Sequence, residues 1–219
     1  MKKRIILLFF LIICFQIGHS LEWTEITDQY DFSSSIQLYK AERGQPALQI
    51  YYLDIDLNDE NIVVRPYITD NPATVKNLAE RFGTYAAING GFFGGSVSYS
   101  AVIYPENVKA QNIGSVTRNG KSYPVIRSLF SLSNDFEPGV DWIYHFSGGR
   151  NGIYSFNAPL DYDYNDSEPL SAPQSSTGTQ MRDLLIGIGG APTLIKNGQK
   201  NVTYNEEIMW GSGVGLDNN

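Results

Sequence analysis

The chain has 219 residues, 18% of them charged and 42% hydrophobic, with 21 Gly, 10 Pro, 11 Phe and 14 Tyr, which excludes a disordered tail and a coiled coil and fits one globular domain of ordinary size. The formal net charge is −7, and the three charges among the first twenty residues, Lys2, Lys3 and Arg4, are all basic, so the remainder is more acidic still. Clustered Lys and Arg that would neutralise a phosphate backbone are missing, so no nucleic acid is expected as a partner. The single Cys, Cys14, excludes a disulfide framework and a Cys-rich zinc site.

Residues 1–20 read as a secretory signal. Lys2, Lys3 and Arg4 form a basic start, residues 5–17 an apolar core too short to span a bilayer comfortably, and Gly18-His19-Ser20 a small-residue cleavage site. The alternative is an uncleaved anchor. Cleavage after Ser20 would start the mature protein at Leu21, leave no stable membrane span, and place it in the medium, the periplasm or the cell envelope. It would also leave His145 as the one histidine. A multi-histidine metal site is then excluded, and no metal or cofactor is expected. No Gly-x-Ser-x-Gly elbow offers His145 a serine partner.

Along the mature chain, residues 36–41 and 48–57 predict strands joined by the turn Arg43-Gly44-Gln45-Pro46. Asn58-Asp59-Glu60-Asn61 predicts a second turn, and residues 62–68 a third strand, at an edge or bulge because of Pro66. Asn71-Pro72 opens a helix with Val75, Leu78, Ala79 and Phe82 on one face and Gly83 as its stop. Residues 85–88 predict a short buried strand. Asn119-Gly120 and Asn197-Gly198 are tight-hairpin signals. Val140, Trp142, Tyr144 and Phe146 alternate as an apolar face against Asp141, Ile143 and His145. Residues 157–183 predict a long surface loop, and residues 184–188 and 193–196 late strands. The expected class is α+β with a mostly antiparallel sheet and few helices, in a single domain over residues 21–219.

The segment Ala87-Ile88-Asn89-Gly90-Gly91-Phe92-Phe93-Gly94-Gly95 carries the strongest local chemistry. Glycines admit positive φ and close approach of a ligand to the backbone. Asn89 can donate and accept, and Phe92 and Phe93 can wall a sugar face. The alternative is a glycine-rich turn with two core phenylalanines.

Asn89-Gly90-Gly91-Phe92-Phe93, following an amphipathic helix and a short apolar run, resembles the hallmark of the phosphodiester glycosidase family. Gly189-Gly190-Ala191-Pro192-Thr193-Leu194-Ile195-Lys196-Asn197-Gly198 is similar to that family's Gly-Gly-x-Pro-x-Leu-x-x-x-Gly stretch. Leu53-Asp54-Ile55-Asp56-Leu57 is similar to its first sheet strand. The resemblance implies an exported hydrolase of sugar phosphodiesters or related glycosides, with Asn89 as a catalytic residue. Gly90, Gly91, Phe92, Phe93, Gly189, Gly190 and Pro192 would contact a carbohydrate or sugar-phosphate substrate. The alternative is a non-catalytic carbohydrate-binding or envelope protein of the same fold. Family members continue with Pro-Arg-Thr and Asp-Gly-Gly-Gly-Ser segments, which are not found here, so the resemblance also implies a domain incomplete at its C-terminus.

Such hydrolysis needs positive charge or aligned N–H donors for the phosphate, and a carboxylate to activate water or stabilise an oxocarbenium-like state. Arg127 and Arg150 are the cations near sheet-like runs; each is expected as a solvated surface arginine. Asp54 and Asp56 share one strand face, expected to be solvated, and Glu206 and Glu207 precede Ile208-Met209-Trp210 in an expected turn. Asp161-Tyr162-Asp163-Tyr164-Asn165 imitates a calcium loop but has Asp166 and Ala172 where Gly and Glu belong, so an acidic surface loop is expected. The run from Gly211 to Gly215 lacks the context of a nucleotide fingerprint. Asn165-Asp166-Ser167 and Asn201-Val202-Thr203 match the glycosylation pattern. His145 is expected as a structural hydrogen-bonder.

Overall fold

The computed structural model of the protein describes residues 21–162 and 168–201. The predicted signal segment, the Asn165-Asp166-Ser167 pattern, Val202 and Thr203 of the second glycosylation pattern, the rest of the acidic loop's middle, Glu206, Glu207 and the run from Gly211 to Gly215 lie outside the described residues. The remainder falls into two compact units, the first ending at Asp56 and the second beginning at Leu57. Almost all of the regular structure is antiparallel sheet, with a single α-helix among the described residues. None of the described helices is long and apolar enough to cross a membrane.

The first unit is a three-stranded sheet in chain order: β1 (Trp23–Glu25), β2 (Ile36–Arg43) and β3 (Leu48–Ile55). Alternation decides its faces. Ile36 and Leu38 pair with Ile55 and Leu53 on the more buried side, while Gln37 pairs with the exposed Asp54. Tyr39 stacks on Tyr52 at 4.7 Å, and Trp23 meets Tyr52 edge-on at 4.8 Å. Asp54 and Asp56 are both solvated, as the sequence predicts.

The second unit begins irregularly. The Asn58–Asn61 turn forms, with the Asn61 amide donating to the Asp59 carboxylate at 2.9 Å. Residues 62–68 form no strand; Pro66 lacks the N–H a ladder would need. The predicted helix forms as α1 (Val75–Phe82) and stops at Gly83 as expected, but it starts three residues after Pro72, which is not helical. Its cap is Thr74, whose hydroxyl accepts from the Asn77 amide at 3.2 Å, and Gly83 closes it at φ 60°. Its apolar stripe is only partly covered: no helix residue is buried, and Tyr67 lies edge-on to the exposed Phe82 at 4.4 Å. Without deep packing, local terms hold α1. Thr74→Ala is therefore expected to lower stability by about 1 kcal/mol at most, or to fray the helix alone. Urea unfolding together with amide exchange on residues 75–82 checks this.

Two-residue strands β4 (Phe93–Gly94) and β5 (Val97–Ser98) make a hairpin. Beyond them come β6 (Val102–Ile103), β7 (Val108–Ala110), the hairpin β8 (Ser115–Arg118) and β9 (Lys121–Pro124), and the long pair β10 (Arg127–Leu132) and β11 (Pro138–His145). The last elements are β12 (Ile153–Phe156), β13 (Thr179–Gln180), β14 (Ile186–Gly190), β15 (Ile195–Lys196) and β16 (Gln199–Lys200). Seven of them form the main sheet in the order β13-β12-β11-β10-β14-β6-β7. Both Asn-Gly hairpins form as predicted: Asn119 and Gly120 take φ of 49° and 76°, Asn197 and Gly198 take 52° and 72°. Positive φ at both central residues matches the twist of the flanking strands.

Cross-strand pairing sorts the main sheet into two faces. Leu129, Ile143, Ile153 and Ile103 share one face and form the principal core with Ala101 and Leu184. Each such fully buried aliphatic side chain contributes roughly 1.5–3 kcal/mol. The other face carries Trp142, Tyr144, Tyr154, Phe156 and Phe130. Both faces of β11 are covered at its centre: Trp142 of the predicted apolar face is 3% exposed and Ile143 of the other face 0%, whereas Tyr144 is only partly buried and Phe146 exposed. Neighbouring strands supply Leu129 and Ile153 on the Ile143 side, and Gly187 admits Leu129 there, since a Cβ on Gly187 would meet Leu129 Cδ1 at 3.0 Å. A second core joins Val116, Tyr123, Val125 and Tyr162. Tyr162 donates to the Pro124 carbonyl at 2.9 Å, so the predicted surface loop is pinned inside at this point.

Candidate functional site

Residues 85–88 are neither strand nor buried; Ile88 is 86% exposed. Asn89, which follows, is exposed and makes no hydrogen bond to the described residues. The chain then turns inward. The Phe92 amide donates to Ser100 Oγ at 2.8 Å, and the Tyr99 amide donates to the Phe92 carbonyl at 2.9 Å. Phe93 is 63% exposed.

The glycines serve close packing rather than unusual dihedrals. Of the motif's glycines only Gly95 has positive φ, at 59°, and neither Gly90 nor Gly91 does. A Cβ on Gly90 would lie 2.5 Å from Ile188 Cδ1, and one on Gly91 would lie 2.2 Å from the Gly189 carbonyl oxygen and 2.3 Å from Ser100 Oγ. The two sequence motifs, about a hundred residues apart, therefore touch. Gly189 is closed on its own far side: a Cβ there would lie 2.2 Å from Asn112 Oδ1. That same oxygen accepts from the Ala101 amide at 2.6 Å. Gly190 differs, with nothing within 4 Å of where its Cβ would stand.

Beyond Gly190 the chain crosses a cis Ala191–Pro192 bond, and the buried Thr193 hydroxyl bonds that of Ser128 on β10. This anchors β15, and Lys196 then reaches the Val140 carbonyl and Asp141 Oδ1, the latter at 3.2 Å. Its ammonium lies 5.0 Å from the Trp142 ring centre. Between this hairpin and the main sheet is a groove of about 280 Å³ lined by Phe130, Val140, Ile195 and Lys196. A hollow of about 370 Å³ in the first unit, beside the Lys40–Glu42 ion pair, holds neither motif.

The titratable groups depart from expectation. Arg127, expected in solvent, is 2% exposed on the core face, pairing in register with Ile143. Arg150 is not simply solvated either. It donates to the Tyr104 carbonyl at 2.6 Å and the Leu185 carbonyl at 3.3 Å, and burial pulls its guanidinium below the ordinary arginine range. Both are tied into the sheet because β10 and the 147–152 loop sit inside neighbours that the local sequence does not announce. His145 was expected to hydrogen-bond, yet both its ring nitrogens are buried without a partner. Burial pushes its pKa from 6.5 down to about 4, so it is neutral at pH 7.

The structure thus brings Gly90, Gly91 and Phe92 together with Gly189, Ser100, Asn112 and Ile188, while Gly190 and Pro192 follow along the chain without a contact to them and Asn89 and Phe93 are open to solvent. Ser100 and Asn112 carry no local signal in the sequence, because their role exists only once β6 and β14 are side by side. Lys196 lies within the second motif, but the sequence singles out only Arg127 and Arg150 among the cations. Lys196, in the hairpin that follows Pro192, is ion-paired with the Asp141 carboxylate. Among the described residues no cluster of His, Cys, Asp or Glu could hold a metal ion. No protein-family model matches the chain, and no curated protein and no solved structure is significantly similar to it.

Proposed function

We propose that the protein is an exported hydrolase of the phosphodiester glycosidase type, acting on a sugar phosphodiester or related glycoside. The observation that supports this most is the meeting of the two motifs at the Gly91–Gly189 contact. Segments that resemble the same family at separate points of the chain come together at one place, with an exposed asparagine, an exposed phenylalanine and the open Gly190 next to them along the chain. In the proposed reaction water adds to the anomeric carbon as its bond to the phosphate oxygen breaks. The electron pair leaves on the phosphate monoester and the water's proton passes to solvent. Asn89 would hold a substrate oxygen, and Phe93 the apolar sugar face.

The second reading, a carbohydrate-binding protein without turnover, draws on the pairing of Asp141 with Lys196, which occupies that carboxylate.

Asn89→Ala tests the site. Asn89 bonds to nothing in the described residues, so the variant is expected to keep the wild-type melting temperature. Losing one well-placed polar contact in the transition state costs on the order of 100-fold in rate. Gly190→Val is expected to behave alike, filling open space without meeting a neighbour within 4 Å of its Cβ. Hydrolysis of a hexose 1-phosphate ester is the readout. Sugar binding that Asn89→Ala abolishes, in a wild-type protein with no turnover, favours the second reading. Unchanged activity and binding in both variants removes this site from either.

A further inference from the structure

The three-stranded sheet of the first unit has two edges of unequal length. β1 pairs with β2 over three residues, whereas β3 runs for eight and pairs with β2 alone. Beyond that ladder no backbone group of β3 is hydrogen-bonded to another of the described residues. Peptide groups of alternate residues in an antiparallel strand point to opposite sides, so half of those in β3 face the open side. Proteins blunt such an edge with Pro, Lys, a bulge or a very short strand. β3, Leu48-Gln49-Ile50-Tyr51-Tyr52-Leu53-Asp54-Ile55, has none of these: its register with β2 is unbroken and Asp54 is its one charge. Tyr51 and Tyr52, at its middle, are 48% and 42% exposed.

The pattern fits a second copy. A two-fold axis normal to a sheet pairs antiparallel strands and keeps each face on its own side, so opposed residues come from the same face of the two copies. An axis through Tyr52 sets Tyr52 against Tyr52 of the copy, and Tyr51 against Leu53. Tyr39 already stacks on Tyr52, its register partner, at 4.7 Å and 12° between planes, so the copy continues that row across the axis. Asp54 meets Ile50 of the copy. The two Asp54 carboxylates are then offset along the strands by four residues, about 14 Å, and no like charges oppose. The edge left free is the three-residue β1, too short to add a further copy, so the pair closes as a dimer.

We propose that β3 is an interface with a second copy of this chain, antiparallel and two-fold symmetric about Tyr52, which joins two three-stranded sheets into one. It is independent of the reading of the site in the second unit. One strand edge buries little area, so association in the micromolar range is expected, read by analytical ultracentrifugation of the full chain. Tyr52→Lys sets two ammonium groups face to face and is expected to weaken the dimer about tenfold or more. Thr24→Lys, at an exposed position on the short edge, is expected to leave it unchanged. Because Tyr52 also packs on Tyr39 and Trp23, disulfide trapping runs beside these variants in a chain carrying Cys14→Ser. Tyr52→Cys is expected to cross-link on oxidation, since directly opposed residues stand within disulfide reach, and Asp54→Cys is expected not to. A wild type that stays monomeric through the micromolar range overturns the proposal. So does a dimer that survives Tyr52→Lys, or cross-linking of Asp54→Cys as readily as of Tyr52→Cys.

Discussion

Gly91→Ala is expected to destabilise the protein by about 3 kcal/mol or more, far beyond the usual cost of an exposed glycine substitution. The added methyl would stand 2.2 Å from the Gly189 carbonyl oxygen and 2.3 Å from Ser100 Cβ. Neither neighbour is the mobile end of a long side chain, so the backbone must part. Parting also loosens the bond from the Phe92 amide to Ser100 Oγ. Gly189→Ala is expected to be comparably severe, because its methyl would meet Asn112 Oδ1 at 2.2 Å and the Ala101 amide nitrogen at 2.6 Å. The internal control is Gly190→Ala, one residue on, where the space is open and stability should stay within about 0.5 kcal/mol of wild type. Denaturant midpoints for the three variants check the series. Equal midpoints for all three would mean that the two motifs do not pack against each other.

The protein is expected to lose about 3 kcal/mol of stability between pH 6.5 and pH 4 through His145 alone. The sign follows from burial. The folded-state pKa, about 4, lies below the ordinary 6.5, so the unfolded chain takes up a proton first as pH falls. Stability is complete above pH 6.5, declines through that window and levels off below the folded pKa. Asp141 lies on the same strand face, and Arg127 on the same face of the adjacent strand; burial is the cause of the shift. His145→Phe removes the titration, and its stability should be flat across the window apart from the carboxylates common to both proteins. A parallel fall in the two would show that His145 is hydrated in the folded state.

The unevenness of the sequence reading has a physical pattern. The helix, its Gly83 stop, both Asn-Gly hairpins, the first two long strands and the sheet-rich antiparallel class were legible, since each rests on interactions within a few residues. The first motif could be singled out from its run of glycines and aromatics, and the second from its resemblance to a known family's stretch. What the glycines are for could not: positive φ is a local property and would have been the default reason, whereas Gly91 is glycine because Gly189 arrives from β14.

Chain order and local propensity thus determined where the turns and most long strands fall and which segments carry polar and glycine-rich chemistry. Tertiary pairing decided the rest. It buried Ile143 in the core beside Leu129 and Ile153, and Trp142 from the opposite face of the same strand. It also buried Arg127 and the unpartnered His145, left residues 85–88 exposed, and set Gly90 against Ile188. Burial is a property of what lies across the ladder, and a sequence lists only what lies along it.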